Sequence, residues 1–257
     1  MQGSTPVAIE RYEVLGSTND EALRLALAGA PSGTAVIAAK QTGGRGRRGR
    51  QWESLPGDQV FVSVIYRPKL GPEVLAGLTL EVANAVAEVL AAHGLQPKLK
   101  WPNDVLIGQK KIAGILCELH EDGKRGHVVI IGVGLNANGR DADLPEALVG
   151  HATSLAAAVG IASLGGTVDA ARCAHAVAQS VVRACDGFAV RGGLDVDAYR
   201  ARSVTIGKRV KTEDGRTGEV VDVLASGALS VEWDGARRGA DPEPLLAGDI
   251  EHLPGGR

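Results

Sequence analysis

The side chains best suited to chemistry are concentrated in residues 43–52, where four arginines and four glycines occur within ten positions. Arginine binds phosphate and carboxylate oxygens through paired hydrogen bonds, and a glycine-rich backbone lets N–H groups approach the same anion. The pattern therefore predicts an anion-binding loop. It is also typical of nucleic-acid-binding arginine tracts and of solvated basic loops, and the segment alone does not distinguish these alternatives.

Two familiar phosphate motifs do not fit this loop. Gly44, Gly46 and Gly49 have the spacing of the dinucleotide fingerprint, but that motif requires a helix that begins at its glycines. The residues that follow Gly49 are rich in turn formers and predict no helix. No Gly-Lys-Ser/Thr sequence ends the loop, so it is not a P-loop.

Three other segments place hydroxyl, amide or charged side chains beside apolar runs. Residues 17–19 (Ser-Thr-Asn) lie at the start of a predicted helix, where they either cap the helix or bind a polar ligand. Residues 100–104 (Lys-Trp-Pro-Asn-Asp) form either an ordinary turn or part of a site. Asn136 follows an apolar run containing Gly132 and Gly134, and its amide either closes a loop or meets a ligand.

Hydrophobic periodicity predicts the elements that position these segments. Strands are predicted over residues 7–14, 34–39, 60–66, 111–116 and 127–135. A core helix is predicted over residues 72–93. Thr18 and Glu21 have capping-box spacing, so a second helix should begin at Thr18 and end near Gly29. The arginine loop would then connect two strands of one sheet.

The composition of the chain changes near residue 203. Residues 153–202 are alanine-rich with helical spacing, whereas residues 203–257 contain short alternating segments separated by glycine turns. Strands are predicted there at residues 208–212, 217–224 and 228–233. We therefore predict a domain over residues 1–202 and a small antiparallel barrel over residues 203–257.

The overall composition is that of a globular protein with a balanced surface. The 257 residues are 44% hydrophobic and the net charge is −2 at pH 7, which disfavours a protein that mainly wraps nucleic acid. The three cysteines lack zinc-ligand spacing and fit a reducing compartment. No apolar segment resembles a signal peptide or reaches the length of a bilayer span, so we expect a cytoplasmic protein with no membrane partner. The sequence identifies no metal ligands.

Taken together, the polar segments resemble the motifs of biotin protein ligases. The resemblance covers residues 10–140 in order and spacing, and the predicted C-terminal barrel is similar to the SH3-like domain of that family. The matching segments are Ser17-Thr18-Asn19, Gln41 with residues 44–50, and residues 100–104, 111–116 and 132–136. The resemblance implies an α+β fold in which a mixed, mostly antiparallel sheet is flanked by helices, as in class II synthetases, with a small C-terminal SH3-like β-barrel.

The resemblance also implies a two-step reaction. Biotin and ATP give biotinyl-5′-AMP and pyrophosphate, with Mg²⁺ accompanying the triphosphate, and a lysine of a biotin carboxyl carrier protein domain then accepts the biotin. Sixteen residues precede Ser17, fewer than a winged-helix domain needs, so we expect the monofunctional type without an N-terminal DNA-binding domain and without a DNA partner. Whether the protein is a monomer or a ligand-dependent homodimer is left open.

Residue roles follow from the match to the family motifs. The first-step nucleophile is the carboxylate of biotin itself, so the site needs cations rather than a catalytic Ser or Cys. Lys111 and Arg47 are the expected catalytic cations, and Asp104 is expected to orient or deprotonate the carrier lysine. The expected biotin-binding residues are Ser17, Thr18, Asn19, Gln41, Arg45, Gly46, Arg47, Lys111 and Gly114. The expected ATP- or adenylate-binding residues are Arg45, Arg47, Arg48, Arg50, Trp52, Asn103, Lys111 and Asn136.

Two other functions remain open at this point. A lipoate-type ligase would share the adenylation chemistry but prefer a linear acyl chain, and a nucleic-acid-binding module would use the arginine loop without adenylation. We also expect the arginine loop to be disordered in the empty protein. Ordering its glycines costs conformational entropy, and nothing in the loop is apolar enough to anchor it, so only an anionic ligand would supply the stabilisation.

Overall fold

The computed structural model describes residues 7–52, 57–68, 71, 75–162, 165–237 and 239–253. Within these residues, seven strands form a large sheet: β1 (Ile9–Leu15), β2 (Ala35–Gln41), β3 (Val60–Tyr66), β4 (Pro97–Lys100), β5 (Asp104–Ile107), β6 (Lys110–Glu121) and β7 (His127–Leu135). The α-helices are α1 (Thr18–Leu27), α2 (Leu75–Ala91), α3 (Leu155–Ala158), α4 (Ala170–Arg191) and α5 (Val196–Arg200). A second sheet contains β8 (Arg209–Thr212), β9 (Thr217–Val223), β10 (Leu229–Trp233), β11 (Glu243–Leu245) and β12 (Ile250–His252).

The large sheet is mixed, with the strand order β1-β2-β3-β7-β6-β5-β4. β1 and β2 are parallel because α1 connects them as a crossover, whereas the other neighbouring strands are antiparallel. The carboxyl ends of β1 and β2 therefore meet at one edge of the sheet, where Leu15 pairs with Gln41. The prediction of a mixed, mostly antiparallel sheet flanked by helices is confirmed.

Helices cover both faces of the sheet, and the alternation of side chains on β3 shows how. Val62 and Val64 point into the main core beneath α2 and α4, whereas Ile65 packs in a second apolar cluster beneath α1. Every residue of β3 is buried, as its nearly continuous apolar sequence predicts. Ser63 is the exception in that sequence: it is a polar residue with no exposed surface on the side of α1.

The first helix begins at the predicted residue, but its cap is different. Ser17 is the N-cap, and its Oγ accepts the Asn19 N–H at 3.2 Å. Glu21 instead accepts hydrogen bonds from the Tyr12 hydroxyl at 2.7 Å and from the Arg24 side chain at 2.9 Å. The predicted Thr18–Glu21 capping box is therefore wrong, because the Glu21 carboxylate bonds side chains on β1 and α1 rather than the start of the helix.

The smaller sheet has the order β11-β10-β9-β8-β12 and is antiparallel. Three of its strands lie where the sequence predicts them. β11 and β12 were not predicted, because each is only three residues long and β11 contains Pro244. The arrangement agrees with an SH3-like C-terminal unit.

The two sheets share one apolar core. Leu99 of β4 bonds Arg202 and Val204 on either side of Ser203. The buried Trp101 donates its indole N–H to the Gly227 carbonyl of the smaller sheet at 3.0 Å. Division of the chain after residue 202 stays a prediction.

None of the described helices combines the length and the apolar character that a membrane crossing needs.

Candidate active site

A cleft of about 330 Å³ opens where the ends of β1, β2 and β6 approach the β11–β12 connection. Its walls come from the segments that the sequence singles out, together with two residues of the smaller sheet region. The lining residues are Ser17, Thr18, Asn19, Gln41, Arg45, Gly46, Arg47, Arg50, Gln51, Trp52, Phe61, Lys100, Trp101, Pro102, Asn103, Asp104, Lys111, Gly114, Ile115, Leu116, Gly132, Val133, Gly134, Asp249 and Ile250.

One wall of the cleft is built from uncharged polar groups at the start of α1. Ser17, Thr18 and Asn19 are all buried, and the parallel β1–β2 pair brings them beside Gln41. Gln41 Oε1 accepts the Thr18 backbone N–H at 2.6 Å and lies 3.0 Å from Thr18 Oγ1. This wall can offer both hydrogen-bond donors and acceptors to a compact polar ligand.

Two residues that the sequence analysis did not select support this wall. Ser63 Oγ lies 2.7 Å from Thr18 Oγ1 and 2.5 Å from Asn19 Oδ1, and Glu118 Oε2 accepts the Asn19 amide N–H at 2.6 Å. Ser63 had a sequence signal, since it interrupts an apolar strand. Glu118 had none, because a charged residue near a strand end usually faces solvent.

The opposite side of the cleft is cationic. Lys111 Nζ lies 2.6 Å from Asp104 Oδ1 and 5.4 Å from the centroid of the Trp52 ring. The position of Lys111 near the start of β6 follows from the pairing of this strand with β5, which carries Asp104. An ammonium group over an aromatic face is suited to hold an anion. The carboxylate beside it is suited to accept a proton from a bound ligand.

The floor of the cleft is formed by glycines under the Trp52 ring. A Cβ atom added at Gly114 or at Gly134 would come within 2.8 Å of Trp52 ring carbons. Gly114 and Gly134 are directly paired on β6 and β7. The two glycines therefore create a flat recess in which an aromatic ring can lie against the sheet.

The arginine loop covers the cleft, and carboxylates of the same chain pair with its side chains. Arg45 contacts Asp20 at 2.6 Å and Glu118 at 3.2 Å. Asp249, on the connection before β12, contacts Arg47 at 3.1 Å and Arg50 at 2.9 Å. The expectation that only an anionic ligand could stabilise this loop is therefore wrong, because acidic residues distant in sequence supply part of the stabilisation. Disorder of the loop in the empty protein stays a prediction.

The neighbouring charges and burial change the pKa values of these guanidinium groups in opposite directions. Hydrogen bonding to Asp20 raises the pKa of Arg45. Burial lowers the pKa of Arg47, although Asp249 opposes that effect. Both side chains remain cations at neutral pH because arginine titrates far above it.

Comparison with known proteins identifies the family. Residues 12–136 match the model of the "Biotin/lipoate A/B protein ligase family". A biotin--[acetyl-CoA-carboxylase] ligase of Mycobacterium tuberculosis is 34% identical over 250 residues, which cover 93% of this chain and 86% of that protein. The chain belongs to the biotin protein ligase family.

Two further relatives show how the similarity is distributed. The bifunctional ligase/repressor BirA of Bacillus subtilis is 45% identical over 150 residues, and this match spans only 46% of that relative's length. A structure of a biotin protein ligase from Aquifex aeolicus, described as a complex with biotin and ATP, superposes with a TM-score of 0.77 at 26% identity and covers 96% of this chain and 98% of that one. The agreement thus extends through the smaller sheet.

Most of the residues expected from the biotin protein ligase motifs line the cleft. Two do not. Arg48, in left-handed backbone conformation with φ 57°, forms an ion pair with Glu213 and does not line the cleft. Asn136 is buried below the floor, where its amide donates to the Thr153 carbonyl at 3.1 Å. Asn103 lines the cleft while its amide donates to the Ile115 carbonyl at 2.9 Å. The expected nucleotide contacts of all three stay predictions.

No cluster of three or more His, Cys, Asp or Glu side chains able to hold a metal ion occurs in the described part of the chain. Asp104 and Asp249, the acidic residues among the described lining, both form ion pairs with cationic side chains. The described residues therefore offer no preformed protein cage for a divalent cation.

Proposed function

We propose that this chain is a biotin protein ligase that activates biotin with ATP and transfers it to a lysine of a biotin carboxyl carrier protein. The observation that supports this function most directly is the division of the cleft into an uncharged polar wall at residues 17–19 and a cationic side at Lys111. Biotin has the same division, since its bicyclic head bears a neutral ureido group and its chain ends in a carboxylate.

In the first step, a carboxylate oxygen of biotin attacks the α-phosphorus of ATP, and the bond from that phosphorus to the β-phosphate bridging oxygen breaks. Lys111 is the residue we assign to hold the carboxylate and an α-phosphate oxygen together, because its ammonium group lies on the cationic side of the cleft. Bringing two anions together is the main barrier that the protein must lower. Ser17, Thr18, Asn19 and Gln41 would bind the ureido head.

The arginine loop would hold the adenylate after pyrophosphate leaves. Arg47 and Arg50 face the cleft together with Gly46 and Trp52, so an anionic product can replace Asp249 as their partner. The Trp52 face, over the recess of Gly114 and Gly134, is the surface we assign to the adenine ring.

In the second step, the neutral amine of the carrier lysine attacks the acyl carbon, and the bond from that carbon to the phosphate oxygen breaks to release AMP. The attacking nitrogen must lose a proton, and we assign Asp104 as the carboxylate that accepts it. Its ion pair with Lys111 at 2.6 Å links the proton acceptor to the cation that holds the acyl phosphate.

Magnesium enters this proposal as the counter-ion of ATP. Since the described cleft offers no free carboxylates, we assign its coordination to phosphate oxygens and water, which is how Mg²⁺ usually binds with nucleotides. A cytoplasmic location and the absence of DNA binding remain predictions, and the oligomeric state is left open.

The decisive experiment measures biotin-dependent exchange of pyrophosphate into ATP, followed by transfer of biotin to a carrier domain detected by avidin blot. Lipoate in place of biotin tests the related acyl ligase, and oligonucleotide binding at several salt concentrations tests the nucleic-acid alternative. Exchange that depends on lipoate but not on biotin, or no exchange with either acid, would overturn the proposal.

A further inference from the structure

The polar wall contains more hydrogen-bonding contacts than its hydroxyl protons can fill. Thr18 and Ser63 each have one hydroxyl proton. Three oxygen–oxygen contacts involve them: Ser63 to Asn19 Oδ1 at 2.5 Å, Ser63 to Thr18 Oγ1 at 2.7 Å, and Thr18 Oγ1 to Gln41 Oε1 at 3.0 Å. One of these contacts must therefore lack a proton.

Glu118 and the contact distances together decide which contact that is. A carboxylate can only accept, so Asn19 must turn its Nδ2 toward Glu118 Oε2, 2.6 Å away, and its Oδ1 toward Ser63. Ser63 must then donate to Asn19, and the Thr18 proton goes to the nearer of its two remaining acceptors, Ser63 Oγ at 2.7 Å rather than Gln41 Oε1 at 3.0 Å. The contact to Gln41 Oε1, the longest of the three, is left without a hydroxyl proton, and Gln41 accepts the Thr18 backbone N–H instead.

The packing around Asn19 supports a fixed amide. A Cβ atom added at Gly132 would come within 2.4 Å of Asn19 Oδ1, so the glycine on β7 makes the space that the amide occupies. Asn19 and Ser63 are both buried. Arg45 Nη2 lies 3.2 Å from Glu118 Oε2, the same oxygen that accepts the Asn19 amide, so the guanidinium helps to hold this carboxylate in place.

We propose that Glu118 and Ser63 are specificity-determining positioning residues, which make Thr18 Oγ1 a hydrogen-bond acceptor toward the ligand. The Thr18 proton is committed to Ser63, so the oxygen that faces the cleft selects a ligand that presents an N–H group at this position. This inference rests on the proposed function, in which that group is one ureido N–H of biotin. Neither Glu118 nor Ser63 lines the cleft.

The test uses Glu118→Gln and Ser63→Ala in the full-length protein. Glutamine can donate as well as accept, so it frees the Asn19 amide to turn over, and alanine frees the Thr18 proton. Both variants should lose about 10- to 100-fold in kcat/KM for biotin, with the KM for ATP changed less than about threefold. Binding of biotin without ATP, measured by calorimetry, should weaken in parallel.

The readout that separates positioning from structural damage is substrate discrimination. In each of the two carbamate analogues of biotin, one ureido N–H is replaced by an oxygen, which can only accept. The wild type should reject the isomer whose oxygen faces Thr18, and both variants should reduce the preference for biotin over that isomer by about tenfold or more. An unchanged preference, with both substrates impaired equally, would refute the proposal.

Matched controls keep the outcomes distinct. Glu121→Gln removes a charge from the exposed end of the same strand, and Ser180→Ala removes a buried hydroxyl that bonds the Ala85 carbonyl away from the cleft. Both should retain wild-type discrimination. If the wild type shows no biotin-dependent exchange, the proposed function itself fails. If it exchanges normally and Glu118→Gln and Ser63→Ala behave like the controls, only the present inference fails.

Discussion

Lys111 is preceded in the sequence by a second lysine, Lys110, whose ammonium group has different surroundings. Lys110 pairs with Asp141 at 2.5 Å, outside the cleft, whereas Lys111 lies inside it between Asp104 and the Trp52 ring. Adjacent residues on a strand point to opposite faces, so the two ammonium groups experience different surroundings. The same substitution at Lys110 and at Lys111 therefore compares the loss of an ammonium group outside the cleft with its loss inside the cleft.

Lys111→Ala should reduce the rate of adenylate formation by about 10² to 10³, the effect of removing one preorganised charged donor. Biotin binding should weaken much less, because the ureido contacts remain. Pyrophosphate exchange measures the rate and calorimetry the binding. Lys110→Ala serves as the control, and a loss of equal size in that variant would show that strand stability, not the cation in the cleft, is responsible.

At this scale, the sequence predicted the residues that belong to compact motifs. Residues 17–19 and 44–50 could each be recognised from their own spacing and composition, and the parallel β1–β2 pair brings the two segments to one edge of the sheet. Although Ser63 interrupts an apolar strand, the roles of Ser63 and Glu118 could not be predicted, since each acquires its role from partners 44 to 99 positions away. Register between strands, which single-sequence patterns do not specify, brings those partners together.

The arginine loop is closed at its base and paired at its tip. The Trp52 backbone N–H donates to the Gly44 carbonyl at 3.0 Å, and the backbones of Arg45 and Gln51 form an isolated antiparallel β-bridge. The tip, from Arg47 to Arg50, reaches Asp249 and Glu213 of the smaller sheet region. The loop is therefore held at its tip by contacts with the C-terminal part of the chain.

Asp249→Asn should loosen this loop. Loss of about 1 kcal/mol from the paired charges corresponds to a roughly fivefold larger open population. Trypsin should therefore cut after Arg47, Arg48 or Arg50 about that much faster, and biotin plus ATP should slow cleavage in both proteins. Asp214→Asn, a change to an exposed carboxylate that accepts the nearby Thr212 hydroxyl and does not contact the arginine loop, is the control. Equal cleavage of all three proteins would show that Asp249 does not restrain the loop.

Among the elements, long apolar segments were predicted well and short ones were not. β3 and β7 have the predicted bounds because each is a continuous apolar run between turn residues. β12 exists only through pairing with β8, which is distant in sequence, and β11 through pairing with the preceding strand β10; three residues cannot encode either pairing locally. Residues 72–74 of the predicted helix lie outside the described residues, and the helix is observed from Leu75.

On the scale of the whole molecule, a histidine lies at the contact between the two sheets. His252 Nε2 lies 3.3 Å from the hydroxyl of the buried Thr205, which also accepts the Trp101 backbone N–H at 3.1 Å. The hydroxyl proton is then available for Nε2 of a neutral imidazole. Burial, with Lys100 and Lys208 nearby, lowers the pKa of His252.

The folded state should therefore lose stability as the pH falls. Because the pKa of His252 is lower in the folded chain, the folded protein binds fewer protons than the unfolded one below about pH 6.5. The stabilisation present above that pH is lost progressively toward the lower, folded-state pKa. Urea midpoints at pH 7.5 and pH 5 should differ more for the wild type than for His252→Gln. His175→Gln, at a half-buried position on α4 whose ring pairs with the Gln179 side chain, should match the wild type, and identical pH dependence in all three would contradict the assignment.

The three tryptophans give this protein a natural set of optical reporters. Trp52 lies over the glycine recess of the cleft, and Trp101 lies between the two sheets. Trp233 belongs to the smaller sheet, and the Arg216 guanidinium carbon lies 4.0 Å from the centroid of the Trp233 ring. Intrinsic fluorescence of variants that retain one indole at a time can thus follow ligand binding, contact between the sheets and C-terminal unfolding as separate signals. No extrinsic dye has to be attached, so the buried cysteines Cys173 and Cys185 can be left unmodified.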